Sequence, residues 1–211
     1  GHHVGDRECD YIDNRLSLLA YEGLNDIQWL DQIHATTIAK AESGTSNITA
    51  DASYTIEQGL ACAVLTADCL PVLFCNNEGT EVAAAHAGWR GLSKGVLANT
   101  VANFKAVPAA LHVCFGPSIG PCHFEVGEEV FDTFTVAEAF AGCKLKVEQA
   151  FTAKGGKYYA DLKGLAIMQL KSLGVELITS NDCCTYCHED NFYSYRRQAV
   201  TGRMASFIYR L

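Results

Sequence analysis

The sequence has no run of lysine or arginine, no long apolar stretch, no internal repeat and no low-complexity tract. Acidic residues outnumber basic residues by 24 to 16 in 211, which gives a formal net charge of −8. Nucleic acids and anionic membranes attract basic patches, so neither is expected as the main partner. No apolar stretch approaches the roughly 20 residues of a membrane span. The opening GHHVGDRECD is too polar for a secretory signal, so none is expected.

The ten cysteines do not form the spacing of a disulfide framework. Most of them stand inside apolar runs such as ACAVL, LFCN and HVCFG. A buried free cysteine behaves as a small apolar residue, so these positions indicate strand interiors in a protein of the reducing cytoplasm. The hydrophobic content of 49% and the charged content of 19% are ordinary for a globular domain with a filled interior.

Short apolar runs bounded by turn residues alternate with helical patterns, and no linker separates them. Residues 1–211 are therefore predicted to form one compact α+β domain, a mixed α/β arrangement. Helices are predicted over 92–104, 126–134 and 160–174, the last with Asp161 near its start and Gly174 beyond its end. Strands are predicted at 27–33, 36–41, 61–67, 71–76, 81–89, 175–180, 205–211 and at the start of 111–122.

The segment NDCCTYCHED spells C-x-x-C-H with Cys184, Cys187 and His188. This spelling is used for c-type haem attachment, but covalent haem needs export and a second axial ligand, and nothing in the sequence indicates either. A redox dithiol would need its pair at the start of a helix, whereas the residues that follow predict loop and strand. Neither function is favoured.

A second pattern combines His123-Phe124-Glu125 with the later pair Cys184 and Cys187. Zinc deaminases use H-x-E and C-x-x-C in this order, with the glutamate as proton shuttle. About 60 residues separate the two halves here, too many for the single strand-to-helix step that usually joins them. The alternative is that His123 is an ordinary loop histidine beside Pro121.

Three less conspicuous residues stand where predicted strands end. His34 lies at a break between strands, Cys69 follows a buried strand in TADCLPV, and His86 ends another strand in AAAHAGWRG. Strand ends concentrate functional side chains, and two imidazoles with a thiolate suit zinc with an open fourth position. The alternative is that all three are core residues, because their separations form no local motif.

Neighbouring residues add binding chemistry to these strand ends. Arg90 and two glycines occupy a strand-to-helix junction, where backbone N–H groups and a guanidinium favour an anion. Arg196 lies in FYSYRR, whose aromatic residues could stack on a base or simply form a solvated edge strand. Asp68 precedes Cys69 and would point to the opposite face of a regular strand, so it reaches the pocket only if the strand has broken.

The segments QIHATT, ADASYT, TADCLPVLF, HAGWRGL, GPSIGPCHFEVG and YSYRR…TGRMASFI resemble successive signatures of the YfiH/YlmD-type family. Members of that family have been labelled laccase-domain or multicopper polyphenol oxidase proteins and are associated with purine nucleoside phosphorylase and adenosine deaminase activity. The resemblance implies a single domain with four layers, α/β/β/α, and mixed sheets. It also implies that His34, Cys69 and His86 hold a metal, usually zinc.

Two departures from the family pattern bear on the site. The family has an N-terminal strand and a T-T-R-x-G-G-V-S segment before the stretch that matches GHHVGD, so pocket residues of that segment, including an arginine, are expected to be missing. Relatives keep a D-x-C-T core, carried here by Asp182, Cys184 and Thr185, whereas Cys187 resembles an individual variation. The C-x-x-C-H spelling is therefore predicted to be accidental.

The expected function is that of a zinc-containing purine nucleoside phosphorylase that takes a purine nucleoside and phosphate, with adenosine deamination as a second activity. Arg90 and Arg196 are predicted to bind phosphate or ribose, and Asp68, Cys69 and His86 to serve catalysis. The alternatives are a zinc or Cys69/His86 hydrolase acting on peptidoglycan precursors, a copper polyphenol oxidase, and a binding module. A laccase needs more imidazoles than the seven present. A monomer or homodimer is expected.

Overall fold

The computed structural model describes residues 5–45, 47–143 and 147–211, so the first four residues of GHHVGD lie outside the described residues. The helices of this part are α1 (Glu8–Glu22), α2 (Trp89–Ser93), α3 (Val96–Ala102), α4 (Glu128–Val136) and α5 (Leu162–Ser172). Short 3₁₀ turns cover Pro108–Ala110, Glu138–Cys143 and Glu148–Ala150. No helix in the described ranges is long and apolar enough to cross a membrane.

The strands form three sheets. They are β1 (Asp26–Gln28), β2 (Ile38–Lys40), β3 (Ala52–Thr55), β4 (Leu60–Thr66), β5 (Leu70–Asn76), β6 (Val82–Ala87), β7 (Leu111–Phe115), β8 (Glu125–Val126), β9 (Phe151–Lys154), β10 (Lys157–Ala160), β11 (Leu177–Thr179) and β12 (Met204–Tyr209). The six-stranded sheet has the order β11-β7-β5-β6-β3-β2, and three-stranded sheets have the orders β1-β4-β12 and β8-β10-β9. The first two sheets are mixed, because β2 pairs with β3, β7 with β11 and β1 with β4 in parallel.

Two apolar interfaces stack α1 on the β1-β4-β12 sheet and that sheet on the six-stranded sheet. Leu18 and Leu19 of α1 pack on the face of β4 that carries Ala61 and Ala63. The opposite face of β4 packs against β6 of the six-stranded sheet, because side chains alternate along a strand. The far face of the six-stranded sheet carries the largest core cluster, which includes residues of α2, α3 and α5. The predicted four-layer α/β/β/α domain with mixed sheets is confirmed.

The period of two along β6 determines which way its functional residue points. Ala83, Ala85 and Ala87 belong to the core cluster on the helical side, whereas Ala84 belongs to the cluster between the sheets. His86 has the parity of Ala84, so its ring points toward the space between the two sheets rather than into the helical core. The imidazole therefore lies at the edge of the inter-sheet layer, next to the loop that joins β4 and β5.

Several elements differ from the prediction. Of the segments 27–33 and 36–41, only residues 27–28 of β1 and the three residues of β2 are in strands, and Gln32 and Ile33 instead make contacts with Leu65 and Asp51 from a loop. The predicted helix over 92–104 is divided, since Gly95 adopts a left-handed φ of 93° between α2 and α3. The N-cap at Asp161 is confirmed, because its carboxylate accepts from the Gly164 N–H at 2.9 Å.

The prediction missed α1, β3, β8 and the β9–β10 hairpin, and the helix predicted over 126–134 begins only at Glu128 because Val126 belongs to β8. The hairpin turns through Gly155 and Gly156, with φ of 62° and 77°, and Lys154 pairs with Lys157. A two-residue turn of this kind needs left-handed φ at both positions, which glycine adopts at no steric cost. The adjacent glycines were therefore a usable sequence signal. The surface helix α1 has no buried residue and only a weak apolar stripe.

Candidate functional site

His34, Cys69 and His86 meet at one end of the inter-sheet layer. His34 comes from the loop between β1 and β2, Cys69 from the loop between β4 and β5, and His86 from β6. Their ligand atoms all lie within 4.8 Å of one another, with Cys69 Sγ 3.8 Å from Nε2 of His34. The two imidazole rings meet edge to face at 4.7 Å between centroids. Residues 35 and 17 positions apart in the sequence thus form one cluster.

A buried carboxylate holds two members of the cluster in place. Asp51 is fully buried and accepts from the backbone N–H groups of Ile33, His34 and Ala35 at 3.2, 2.9 and 2.7 Å. The same carboxylate lies 2.8 Å from Nδ1 of His86. His34 has a φ of 59°, an uncommon value for a residue with a side chain. The amide contacts of Asp51 hold the loop in this conformation.

Proton affinities within the cluster are coupled. Burial raises the pKa of the Cys69 thiol, but the imidazoles of His86 and His34 outweigh this effect and lower the pKa to about 6. Burial lowers the pKa of His86, but the Cys69 thiolate and the Asp51 carboxylate outweigh it and raise the pKa to about 9. Without a metal, the neutral-pH state is therefore a thiolate beside an imidazolium, the pairing that activates nucleophilic cysteines.

The three side chains fit a metal ion by two independent observations. Because Nδ1 of His86 bonds to Asp51, Nε2 is left for the ion, as in the carboxylate–histidine pairs of many metal sites. Gly88 keeps the adjoining space clear, since a Cβ there would lie 2.8 Å from Cδ2 of His34 and 3.0 Å from Sγ of Cys69. Three protein ligands leave one tetrahedral position open to a water or a substrate atom.

The cluster opens into a pocket of about 490 Å³. This volume lies within the usual range of about 300–1,000 Å³ for small-molecule sites. The pocket combines metal-type ligands with cationic and aromatic side chains. Its wall includes His34, Cys69, His86, Trp89, Arg90, Ile119, Phe124, Tyr195, Arg196 and Arg203.

The structure brings the predicted Arg90 and Arg196 to the same pocket from distant parts of the sequence. Arg90 is the second residue of α2, and its guanidinium lies 4.5 Å from the centroid of the Trp89 ring. Arg196 is held more firmly, because its Nη1 donates to the carbonyls of His123 and Glu125 at 3.2 and 2.8 Å. Both guanidinium groups are exposed on the pocket wall.

Asp68 lies on this wall because β4 ends at Thr66 and the chain turns sharply, with a φ of 91° at Asp68. Its carboxylate accepts from the hydroxyls of Thr185 and Ser194 at 2.6 and 3.1 Å. It also accepts from the backbone N–H of Arg196 at 2.7 Å. These contacts make Asp68 a residue that positions the Arg196 loop.

A second cluster lies beside the pocket. Cys122, His123, Cys184 and Cys187 place their ligand atoms within 4.8 Å of one another. His188, the last residue of the C-x-x-C-H spelling, packs instead near Phe192 with ring centroids 6.4 Å apart. The H-x-E glutamate, Glu125, pairs with Lys157 at 2.5 Å and does not belong to the cluster.

Comparison with known proteins identifies the family to which this architecture belongs. The family profile described as "Multi-copper polyphenol oxidoreductase laccase" matches residues 1–211. The chain belongs to this family. A relative in Escherichia coli (strain K12), "Purine nucleoside phosphorylase YfiH", is 47% identical over 99% of this chain and 84% of its own length. The predicted YfiH/YlmD-type resemblance is thus confirmed.

Further members of the family show the same correspondence. The "Purine nucleoside phosphorylase" of Haemophilus influenzae is 41% identical over 99% of this chain and 85% of its own length. A crystal structure of a Neisseria meningitidis protein superposes with a TM-score of 0.91 at 45% identity, covering 100% of this chain and 85% of that one. The fold is therefore that of the family throughout the described chain.

Two pocket features were not assigned a role from the sequence. Asp51 stands in the ADASYT segment, but only the folded chain shows that its carboxylate reaches the amides of residues 33–35. Arg203 enters the pocket wall from the segment before β12, where its Nη1 donates to the carbonyls of Thr201 and Gly202. The TGRMASFI segment contains Arg203, so its motif was visible while its placement was not.

Proposed function

We propose that the protein is a purine nucleoside phosphorylase whose pocket combines a metal held by His34, Cys69 and His86 with an arginine-lined phosphate subsite. The observation that carries this proposal is the meeting of the three metal-type ligands, Arg90 and Arg196 in one pocket of about 490 Å³. The relatives named as purine nucleoside phosphorylases supply the reaction class.

Phosphate binding is assigned to the arginines. A guanidinium can grip two phosphate oxygens at once, and Arg90 presents one at the pocket wall. Arg196 approaches from the other wall, with its direction set by the carbonyls of residues 123 and 125. Arg203 lines the same pocket and is a further candidate. Together these groups hold phosphate so that one oxygen faces C1′ of the ribose.

The purine is assigned to the aromatic side of the pocket. Tyr195 is 58% exposed and lines the pocket, whereas the Trp89 ring in the same wall already carries the Arg90 guanidinium, so Tyr195 is the first candidate for stacking. Stacking on a Tyr or Trp face favours a flat purine without selecting its substituents. This arrangement suits both adenosine and inosine.

The reaction exchanges one bond at the anomeric carbon. A phosphate oxygen bonds to C1′ as the C1′–N9 bond breaks, and the electron pair leaves with the base, which gains a proton. In this proposal the chain holds the two reactants in line, the main contribution expected of a positioning site. A metal bound by His34, Cys69 and His86 would act as a Lewis acid at its open position.

Zinc is the metal we propose for this site, with copper as the alternative. Two imidazoles and one thiolate around an open tetrahedral position match catalytic zinc. A blue-copper centre also uses two histidines and one cysteine, but it carries out electron transfer rather than nucleoside cleavage. Asp51 orients His86 for either ion.

Adenosine deamination is a second activity that we propose for the same pocket, with water in place of phosphate. Water would add at C6, and ammonia would leave. The two activities are separable by product: phosphorolysis of adenosine releases adenine, whereas deamination releases ammonia and inosine.

A cysteine hydrolase is the second candidate function. The pKa of about 6 at Cys69 and the Asp51–His86 pair give the metal-free site the order of an activated nucleophile, a histidine and an orienting carboxylate. Peptidoglycan precursors are the substrate class proposed for it. We also propose that the protein works in the reducing cytoplasm, since all ten cysteines are unpaired.

The test is turnover of inosine and adenosine by protein of measured metal content, with and without phosphate. His86→Ala is the test variant, and His112→Ala is the matched control, because His112 is exposed and its Nε2 lies 2.7 Å from Oδ1 of Asn77, away from the pocket. We expect phosphate-dependent release of free base from the wild type and the control, lost with the metal in His86→Ala.

Other outcomes separate the alternatives. Ammonia release without phosphate supports deamination. Activity of metal-free protein on peptidoglycan precursors, abolished by alkylation of Cys69, would replace the phosphorylase with the hydrolase. No turnover of either nucleoside by fully metal-loaded protein would overturn the proposed function.

A further inference from the structure

We propose that Cys122, His123, Cys184 and Cys187 form a second metal site, a closed zinc site with three thiolates and one imidazole. It differs from the pocket site in ligand number and in role. Four protein ligands complete a tetrahedron and leave no position for a substrate, which is typical of structural zinc. The site would join two chain segments about 60 residues apart that together form one wall of the pocket.

The sulfur–sulfur distances match a tetrahedron around zinc, and the sulfur–nitrogen distances are a few tenths of an ångström shorter than its edges. Sγ of Cys122 lies 3.8 Å from Sγ of Cys184 and 3.6 Å from Sγ of Cys187. Nδ1 of His123 lies 3.2 Å from Sγ of Cys122 and 3.3 Å from Sγ of Cys187. With Zn–S near 2.3 Å and Zn–N near 2.0–2.1 Å, the tetrahedral edges are about 3.8 Å between sulfurs and about 3.6 Å from sulfur to nitrogen.

Ordinary packing does not account for this convergence. Cys122 and Cys187 are exposed, so burial of a small apolar side chain does not explain their positions. The sulfur separations exceed the S–S bond length of about 2.05 Å by far, so the pairs are not disulfides. Three thiols and an imidazole nitrogen turned toward one point are instead the donor set of zinc.

The backbone around the cluster is arranged for thiolate ligands. The N–H of Gly120 donates to Sγ of Cys184 at 3.2 Å, and the N–H groups of Tyr186 and Cys187 also face this sulfur. Such N–H groups stabilise negative charge on a coordinating sulfur. The His123 ring stacks on Tyr186 at 4.0 Å with an angle of 15°, which holds Nδ1 toward the cysteines.

The surrounding contacts explain what the site would stabilise. Arg196 Nη1 donates to the carbonyl of His123, and the neighbouring Thr185 hydroxyl donates to Asp68. Three thiolates and a Zn²⁺ ion carry one net negative charge, and Arg197 lies beside them with Nη1 donating to the carbonyls of Thr185 and Tyr186. A metal there would fix the loop that carries Arg196.

Metal counting on the whole chain tests the site without any activity assay. Protein purified under reducing conditions and saturated with Zn²⁺, then freed of excess, is expected to retain about two ions per chain. Cys122→Ser and Cys187→Ser should each retain about one ion, in the pocket site. His86→Ala should also retain about one ion, in the second site. The double variant of Cys187→Ser and His86→Ala should retain none. Cys9→Ser and Cys114→Ser are matched controls, because both thiols are exposed and outside either cluster. Both should retain two.

Cobalt spectra separate loss of the site from loss of the fold. In Cys122→Ser protein loaded with Co²⁺, the sulfur-to-cobalt charge transfer of the second site should be lost, while that of Cys69 in the pocket remains and shows that the chain is folded. In His86→Ala protein the charge transfer of the second site should remain. The proposal would be overturned if the wild type retained one ion per chain, if His86→Ala lost that ion and if Cys187→Ser kept it. A disulfide between Cys122 and Cys187, detected as a peptide mass lower by two hydrogens in protein purified under reducing conditions, would also overturn it.

Discussion

The carboxylate of Asp51 lies 2.8 Å from Nδ1 of His86, and both side chains are buried between the two main sheets. The same carboxylate accepts the backbone N–H groups of residues 33–35. One side chain thus orients one candidate ligand and holds the loop of another. Its exchange should therefore affect both the metal site and the stability of the fold.

We expect Asp51→Asn to weaken zinc binding by about 10–100-fold, since the amide no longer orients His86 as a carboxylate does. It should also lower the free energy of unfolding by about 1–3 kcal/mol, because buried N–H groups lose an acceptor. Competition with a chromophoric chelator and denaturant unfolding measure the two effects. Asp132→Asn, on the exposed face of α4, is the control. Unchanged affinity would remove Asp51 from the site.

Gly88→Ala should displace the metal without removing a ligand. The added Cβ would lie 2.8 Å from Cδ2 of His34 and 3.0 Å from Sγ of Cys69, closer than van der Waals contact allows. Metal content and nucleoside turnover should fall together, while His86 and Asp51 remain in place. Gly142→Ala is the matched control, since a Cβ there meets nothing within 4 Å. Full metal retention by Gly88→Ala would show that the ligands need no such space.

In metal-free protein, the rate at which Cys69 is alkylated should depend on pH. Cys69 has a pKa lowered to about 6, so its thiolate forms as the pH rises through 6 and the rate with iodoacetamide should then level off. An ordinary thiol would reach half its maximal rate near pH 8.5. Peptide mass spectrometry between pH 4 and 9 measures this rate, and bound zinc should suppress it. Cys62, whose pKa burial raises to about 12, should stay unmodified in the folded protein.

Replacement of His86 tests what lowers the pKa of Cys69. Because His86 supplies the largest effect that lowers the Cys69 pKa, His86→Ala should move the alkylation midpoint upward. His112→Ala should leave it near 6. A midpoint unchanged in His86→Ala would contradict the thiolate–imidazolium pairing.

Replacement of Arg90 and replacement of Arg196 should have different effects on phosphate binding and on stability. Arg90→Ala removes a guanidinium that packs on Trp89, so we expect the KM for phosphate to rise by about 10–100-fold, the equivalent of about 1.5–3 kcal/mol, with little change in melting temperature. Arg196→Ala also breaks the bonds to the carbonyls of His123 and Glu125, so both quantities should change. Arg7→Ala, at an exposed ion pair, is the control. An unaltered KM in both variants would place phosphate elsewhere.

Most strands and the capped helix α5 were predictable because their signals are local. Residues 61–67 and 71–76 are short apolar runs before turns, and they coincide with β4 and β5 within one residue. The helical stripe over 92–104 was visible, but the left-handed break at Gly95 was not predicted, since a glycine within a helical pattern is compatible with either outcome. The Gly155-Gly156 hairpin was a local signal that went unused.

His34, Cys69 and His86 could be selected from the sequence because each stands at the end of an apolar run, and the family motifs name the same residues. Their approach to within 4.8 Å depends on the order of the strands and on Asp51, neither of which the spacing reveals. For Cys184 and Cys187 too, the sequence spacing does not reveal which residues they meet. The C-x-x-C-H spelling was predicted to be accidental, and His188 lies outside the cluster, whereas the fold places Cys122 and His123 beside the two cysteines.

The sequence by itself determined the alternation of buried and exposed side chains, the Asp161 cap of α5 and the family. These properties follow from the local period of the chain and from short motifs. Only the tertiary structure decided which candidate ligands meet, that Asp68 anchors the Arg196 loop, and that four donors outside the pocket converge. The physical reason is that each such contact joins residues tens of positions apart, and packing between sheets and loops sets their distance.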